Sequence, residues 1–270
     1  MPKIDLLPEY QDVVVEALKP FYKVDGVRYQ RVTTALGIIN KPALIPWAKR
    51  IALDKVREVL LDPNVRGELV NKSYEVVADE EYDGWVDRLI TAASLKPDEV
   101  RDASAALGTE AHEIVRDISM VESPEDRVSL IEMVPDNQRP AVEGAVAFLH
   151  DYDITVAETE FTVWDNDLKV AGTIDGIGYR DGQMVIWDWK RSAGLYWETA
   201  LQLAAYTQLL TNITGEHVYD AYAVRLLRTA PQPDEALYEV QRLGDWPAAW
   251  DAYQHAVHLQ RASKAKFWEE

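Results

Sequence analysis

The 270-residue sequence contains no cysteine. Disulfides, thiolate nucleophiles, zinc fingers and cysteine-held iron–sulfur clusters are therefore excluded. No stretch approaches the roughly 18 consecutive apolar residues of a membrane span, so no membrane role is expected. The opening Met1-Pro2-Lys3-Ile4-Asp5 lacks the basic start and apolar run of a secretory signal. With cysteine also missing, the expected address is cytoplasmic, in a bacterial or phage-infected host cell. Positive charge is scarce too: 28 Lys and Arg face 46 Asp and Glu, for a net charge of −18. Such a chain does not coat nucleic acid through bulk charge. A local basic channel, or carboxylates that hold divalent cations, remain compatible with it.

The composition that is present, 47% hydrophobic and 27% charged, is that of a globular protein long enough for one large domain or a core with an extension. Its basic residues gather early. Residues 1–60 hold ten Lys/Arg against seven Asp/Glu, or +3, which leaves −21 on the other 210. Phe21 to Tyr29 reads as a hairpin around Asp25-Gly26, a pair that supplies the positive φ angles of a two-residue turn. Pro46–Leu61 reads as a helix whose Lys49, Arg50, Lys55 and Arg57 are candidates for contact with a polyanion, although such a charged face is most often simply solvated. Helices are also expected at 79–93, 97–119 and 140–150. Leu107, Ala111, Ile114, Val115 and Ile118 form the apolar stripe of the second of these. After Asp153 the period changes from 3.6 to 2. Strands are expected at 154–164, 168–180 and 183–190, then a helix at 196–210, a strand at 218–227 and a closing helix at 245–268.

The second hairpin carries the chemistry. If Asp181-Gly182 is a two-residue turn, Arg180 pairs with Gln183 and Asp175 falls opposite Asp188. Facing carboxylates repel unless they share a proton or a cation. Strand alternation puts Lys190 on the face of Asp188 and sends Val185, Trp187 and Trp189 to the other. An even-numbered turn between the strands at 154–164 and 168–180 would add Glu158 and Glu160 to the same face, whereas a three-residue Asp165-Asn166-Asp167 turn would need a bulge to do so. Read singly, each residue also has a structural role: His112 as a half-buried histidine, Lys190 as a strand-end cation, Gln202 and Tyr206 as parts of an amphipathic helix.

The Asp175…Asp188-Trp189-Lys190 arrangement resembles the PD-(D/E)XK nuclease superfamily. Gly108-Thr109-Glu110-Ala111-His112 is similar to the Gly-x-x-x-His helix of its RecB-like branch, which includes phage exonucleases. Val170 to Gly176 resembles that branch's glycine-flanked strand, and Gln202-Leu203-Ala204-Ala205-Tyr206 its Gln-x-x-x-Tyr helix. Arg31-Val32-Thr33-Thr34 through Pro42-Ala43-Leu44, with Trp47, looks like the start of phage members. The motifs occur in the branch's order. The cysteines that hold an iron–sulfur cluster in some relatives are missing, and no helicase motif precedes the nuclease region.

The resemblance implies an α/β fold, a restriction-endonuclease-like core of central mixed sheet flanked by helices. The core is expected at 101–270, with an N-terminal hairpin and helical extension at 1–100 that walls a DNA groove. It implies a Mg²⁺- or Mn²⁺-dependent deoxyribonuclease, an exonuclease or end-processing enzyme of replication, recombination or repair, with a phage origin among the expectations. The metal ligands would be His112, Asp175, Asp188 and the main-chain carbonyl of Trp189, with Glu160 and Glu158 as further candidate acids. Lys190 would act on the attacking water, while Gln202 and Tyr206 would position the DNA or steady the site. The implied partner is DNA, single- or double-stranded at its ends, and a recombination or replication protein is a candidate second partner. A structure-specific or restriction-like endonuclease, and a DNA-end-binding module that has lost cleavage, are the alternatives.

Overall fold

The computed structural model describes residues 3–39, 57, 61, 110–121, 124–232 and 234–265. Its first elements are β1 (Val15–Ala17), β2 (Phe21–Val24), β3 (Val27–Arg31) and the single-turn helix α1 (Val32–Ala35). Next come α2 (110–119), α3 (Pro124–Met133) and α4 (Arg139–Asp151). The chain continues with β4 (Thr155–Asp165), β5 (Val170–Arg180), β6 (Gln183–Lys190), α5 (Glu198–Thr214), β7 (Asp220–Leu226), β8 (Tyr238–Arg242) and α6 (Trp246–Ala262). Among the described residues, eight strands make one mixed sheet in the order β1-β2-β3-β5-β6-β7-β8, with β4 paired to β5.

The hairpins form where the turn chemistry places them. Asp25 and Gly26 hold φ of 48° and 76°, and Asp181 and Gly182 hold 51° and 75°, as a two-residue turn of this hand requires. The N-terminal hairpin, expected in an extension, is part of the core sheet: β3 lies parallel to β5, with Gln30 opposite Val170 and Arg31 opposite Ala171. Residues 3–39 and 110–265 accordingly belong to one compact unit.

Alternation along the sheet separates two cores. Met184 and Ile186 of β6, with Ala221 and Ala223 of β7, pack with Leu203, Leu209 and Leu210 of α5 and with Tyr253 and Val257 of α6. Val185, Trp187 and Trp189, with Tyr222 and Val224, pack with Phe148 and Leu149 of α4 and with Ala111, Val115 and Ile118 of α2. Helices therefore cover both faces, as a sheet with apolar residues on each side requires. Helix α5 runs four residues past its expected end. Gly215 stops it, with φ 74° and its N–H on the Thr211 carbonyl at 2.9 Å. Asp245 caps α6 by accepting from the Ala248 N–H at 3.1 Å, and α6 ends at Ala262 rather than at 268.

The expected helices 46–61 and 79–93 lie outside the described residues, as does the first part of 97–119, except that Arg57 and Leu61 are helical. Lys49, Arg50 and Lys55 lie outside them too, while Arg57 is exposed.

Candidate active site

The site is built where the central sheet forks. Strands β4 and β5 are joined by the four residues 166–169, an even number, so Asp165 pairs with Val170 and the register runs through Phe161–Ile174 and Thr159–Gly176. Glu160 thereby stands across from Asp175. On the opposite edge of β5, β6 pairs in the expected register from Arg180–Gln183 up to Gly176–Trp187, and there the ladder stops. Asp175 and Asp188 are next in register but are not a backbone pair. Instead, Asp175 Oδ2 accepts the N–H of Trp189 at 2.7 Å, a side chain standing in for the lost rung.

The motif glycines make room for large rings. A Cβ on Gly176 would lie 2.1 Å from the Trp187 indole, and one on Gly172 would lie 2.6 Å from Cε1 of Tyr206. The glycine-flanked pattern around Asp175 is thus a packing requirement on both sides of the carboxylate.

Helix α2 brings His112 in from one layer. Its Nδ1 lies 3.7 Å from Asp175 Oδ2. His112, Glu160 and Asp175 offer ligand atoms that all lie within 4.8 Å of one another. An imidazole nitrogen with two carboxylates is a donor set suited to a hard or borderline divalent cation. Asp188 and Glu158 lie outside that cluster; Glu158 sits opposite Ile177, two pairs further along.

Helix α5 supplies the other half of the site. Asp188, only 2% exposed, has Oδ2 2.5 Å from Lys190 Nζ, placed as an ion pair rather than as a well-directed hydrogen bond. Its Oδ1 accepts from Gln202 Nε2 at 2.8 Å. The same Gln202 accepts from Lys190 Nζ at 3.0 Å through Oε1 and donates to the Tyr206 hydroxyl at 3.1 Å. Gln202 therefore fixes the Asp188–Lys190 geometry from behind.

The electrostatics divide the acids. Burial, then the charge of Asp188, pushes Asp175 well above the usual carboxylate range, against the pull of Lys190. Partial desolvation raises Glu160, with Arg116 opposing and Asp188 adding to the rise. Burial lowers His112 and so favours the neutral, ligand-competent ring, although Asp188 and the Trp189 backbone act upward. Burial alone would lower Lys190, but Asp188 and Asp175 outweigh it and the ammonium is stabilised. Burial and the same two acids raise Tyr206 well above the ordinary phenol value.

Sequence reasoning missed several neighbours. Gln138, fully buried, donates to Glu110 at 2.8 Å and accepts from Arg191, tying the start of the His112 helix to the segment after Lys190. Tyr22, Arg31, Thr33 and Thr173 line a cavity of about 120 Å³ beside Tyr206. Tyr22 hydrogen-bonds Thr173 at 2.8 Å. A helical stripe and a Gln in a loop carry no chemical signature. The cavity depends on the β3–β5 pairing, which joins residues about 140 apart.

A family model of the PD-(D/E)XK nuclease superfamily matches residues 51–268. The chain belongs to the PD-(D/E)XK nuclease superfamily. It is a nuclease, and the mixed sheet flanked by helices is that family's fold. No curated protein matches it. Among solved structures, it is similar to SSO0001, with 15% identity over 61% of this chain and 72% of that one and a TM-score of 0.30. It is also similar to an alkaline exonuclease (LHK-Exo) from Laribacter hongkongensis, with 13% identity over 57% and 85% of the two chains and a TM-score of 0.32. Among the described residues, no helix is long and apolar enough to cross a membrane.

Proposed function

We propose that this nuclease is a divalent-metal-dependent DNA exonuclease that works from DNA ends. The observation that carries this reading is the meeting, at one fork of the sheet, of the His112–Glu160–Asp175 donor cluster with the Asp188–Lys190 pair held by Gln202. The donor set fits Mg²⁺ or Mn²⁺, with the histidine leaving scope for a preference for Mn²⁺. His112, Glu160 and Asp175 would hold the ion, with Asp188 and the Trp189 carbonyl alongside. When bound, the ion supplies polarisation of the scissile phosphate and a lowered pKa for the attacking water.

The chain's own groups do the rest. Lys190, kept as an ammonium by its acidic neighbours, orients the water and offsets negative charge gathering on the phosphate. Gln202 holds both members of the catalytic pair in register, and Tyr206 fixes Gln202. Lys49, Arg50, Lys55 and Arg57 are the cations proposed to draw DNA toward an otherwise acidic protein. The setting is replication, recombination or repair in the cytoplasm of a bacterial or phage-infected cell.

The requirement for an end rests on the RecB-like order of His112, Asp175, Asp188-Lys190 and Gln202-Tyr206. The test compares degradation of linear DNA with that of a relaxed, covalently closed circle of the same sequence, in Mg²⁺ and in Mn²⁺, with each also supplied single-stranded. Loss of the linear form with a persistent circle is the expected result. Equal early nicking of the circle establishes an endonuclease instead, and binding without cleavage in either metal leaves an end-binding module.

A further inference from the structure

We propose that Tyr196 and Trp197 form a stacking step for unpaired bases of the DNA strand entering the site. The inference rests on the nuclease reading and adds to it a base-contact surface and a preference for unpaired DNA.

Two large rings stand in water where the chain leaves the catalytic lysine. Trp197 is 61% exposed and Tyr196 is 40% exposed, whereas their neighbours Leu195 and Leu201 join the core. Only the short segment 191–197 separates Lys190 from α5. Gln202, five residues on from Trp197 along α5, accepts directly from Lys190 Nζ at 3.0 Å. The aromatic pair therefore borders the reaction centre.

The presentation is held in place. The Tyr196 carbonyl accepts from the Thr199 N–H at 2.9 Å, and the Trp197 carbonyl accepts from the Ala200 N–H at 3.1 Å. Ser192 Oγ donates to the Gly194 carbonyl at 2.6 Å. Arg228, itself exposed, donates through Nε to the Arg191 carbonyl at 2.8 Å, which holds its guanidinium at the start of the segment. The backbone that carries the two rings is thus ordered before binding, which lowers the ordering cost of a complex.

The occupant follows from charge and shape. A chain of net charge −18 gains little from bulk attraction to a polyanion, so contacts with bases matter more here than in a basic nuclease. Aromatic faces accept any base, and the Arg228 guanidinium at the start of the segment suits a phosphate of the same strand. A duplex hides its base faces, so the surface reads strands that are already unpaired: single strands, overhangs or frayed ends.

The test uses the full chain carrying Lys190→Ala, in EDTA so that no cleavage competes with binding, and a labelled single-stranded oligodeoxynucleotide beside a blunt hairpin duplex. Added Trp197→Ala should weaken single-strand binding roughly ten- to a hundredfold, the worth of stacking one base. Tyr196→Ala should weaken it less, Trp197→Phe should restore most of the affinity, and the blunt duplex should be little affected. One abasic position in the oligonucleotide should cost as much as Trp197→Ala and add nothing to it. Equal affinities across the variants, or equal losses on blunt duplex, would overturn the proposal. So would a change of oligomeric state in Trp197→Ala with unaltered DNA affinity, which would make this surface a contact between copies. If the Lys190→Ala parent binds no DNA at all, the DNA-nuclease reading falls with it. Wild-type cleavage with unaffected stacking variants removes only the present inference.

Discussion

Asp175 accepts the main-chain N–H of Trp189 at 2.7 Å in place of the backbone rung that β5 and β6 lose beyond Gly176 and Trp187. On the other edge of β5 the β4 register sets Glu160 across from the same carboxylate, and α2 brings His112 to it. The fork also separates the roles of the two aspartates. Asp188 is charge-matched by Lys190 and hydrogen-bonded by Gln202, whereas Asp175 carries the uncompensated burial.

The metal-free protein should therefore be stabilised by Asp175→Asn and destabilised by Asp188→Asn. An asparagine at 175 keeps an oxygen for the Trp189 N–H and removes a charge whose pKa the fold raises. At 188 the change strips Lys190 of its ion-pair partner. A raised carboxyl pKa contributes stability that is complete below the unfolded value and lost as pH climbs through the folded value. The wild type in EDTA should thus gain stability from this group as pH falls from neutral towards the ordinary carboxylate range, and Asp175→Asn should flatten that gain. Thermal melts across pH check it, at roughly 2–4 °C per kcal/mol for a protein of this size.

Lys190→Ala should reduce cleavage by about 10²–10⁴-fold, the range for a group acting on a proton or on developing charge. Because Lys190 is also the counter-charge of Asp188, the variant should melt lower than wild type while still binding Mn²⁺. Single-turnover cleavage and calorimetric Mn²⁺ titration check the two halves. Wild-type turnover would remove Lys190 from the mechanism.

Gln202→Ala should leave Asp188 Oδ1 without a donor in a buried position, at a cost of about 1–3 kcal/mol. Cleavage should fall on the order of 10–100-fold, as for groups that orient those in direct contact with a metal or substrate. Tyr206→Phe, which removes one contact to Gln202, should fall less. Rates measured at saturating Mn²⁺, beside melting curves, distinguish lost alignment from lost fold.

Much of this was legible in the sequence because it is local. The Asp25-Gly26 and Asp181-Gly182 turns set their hairpins, and the register from Arg180–Gln183 to Gly176–Trp187 follows from a two-residue turn. Edge strands were not legible: Val15–Ala17 is three residues long, and Tyr238–Arg242 is largely polar and exposed on one side. Pro124–Met133 has no clean apolar stripe, so helical periodicity does not mark it. The parallel β3–β5 contact and the Gln138 bridge are set by tertiary packing, which no window of sequence contains. The fork at Asp175 escaped for a related reason: hairpin arithmetic extends a ladder and does not say where it stops.

Gly176→Ala should be the costlier of two small substitutions near the site. Its new Cβ would meet the fully buried Trp187 ring at 2.1 Å, while that of Gly172→Ala would meet Tyr206 at 2.6 Å and Val32 at 3.1 Å. Overpacking of this kind costs typically 1–3 kcal/mol. Gly176→Ala is expected at or above the top of that range, with Gly172→Ala below it and acting more on cleavage because it pushes on the ring that fixes Gln202. Urea midpoints together with cleavage rates check the order.

Glu160 holds φ 53° within β4, a conformation that is strained for a residue with a side chain and that sets its carboxylate beside Asp175 and His112. Backbone strain at such a point is worth about 1 kcal/mol or more. Glu160→Gly relieves it and, by removing a carboxylate, lessens the repulsion that raises Asp175. The metal-free variant should therefore be as stable as wild type or more so. The same change deletes a donor from the proposed cation set, so the rise in melting temperature on adding Mn²⁺ should shrink, and cleavage should fall about tenfold or more. Glu160→Gln isolates the charge, since it keeps the strain and a neutral oxygen. Its apo stability should lie below that of the glycine variant, with a Mn²⁺ response between glycine and wild type. Melts in EDTA and in graded Mn²⁺ decide the matter. A glycine variant that loses apo stability, or that keeps the full Mn²⁺ response, would show that the strained conformation serves the fold and not the site.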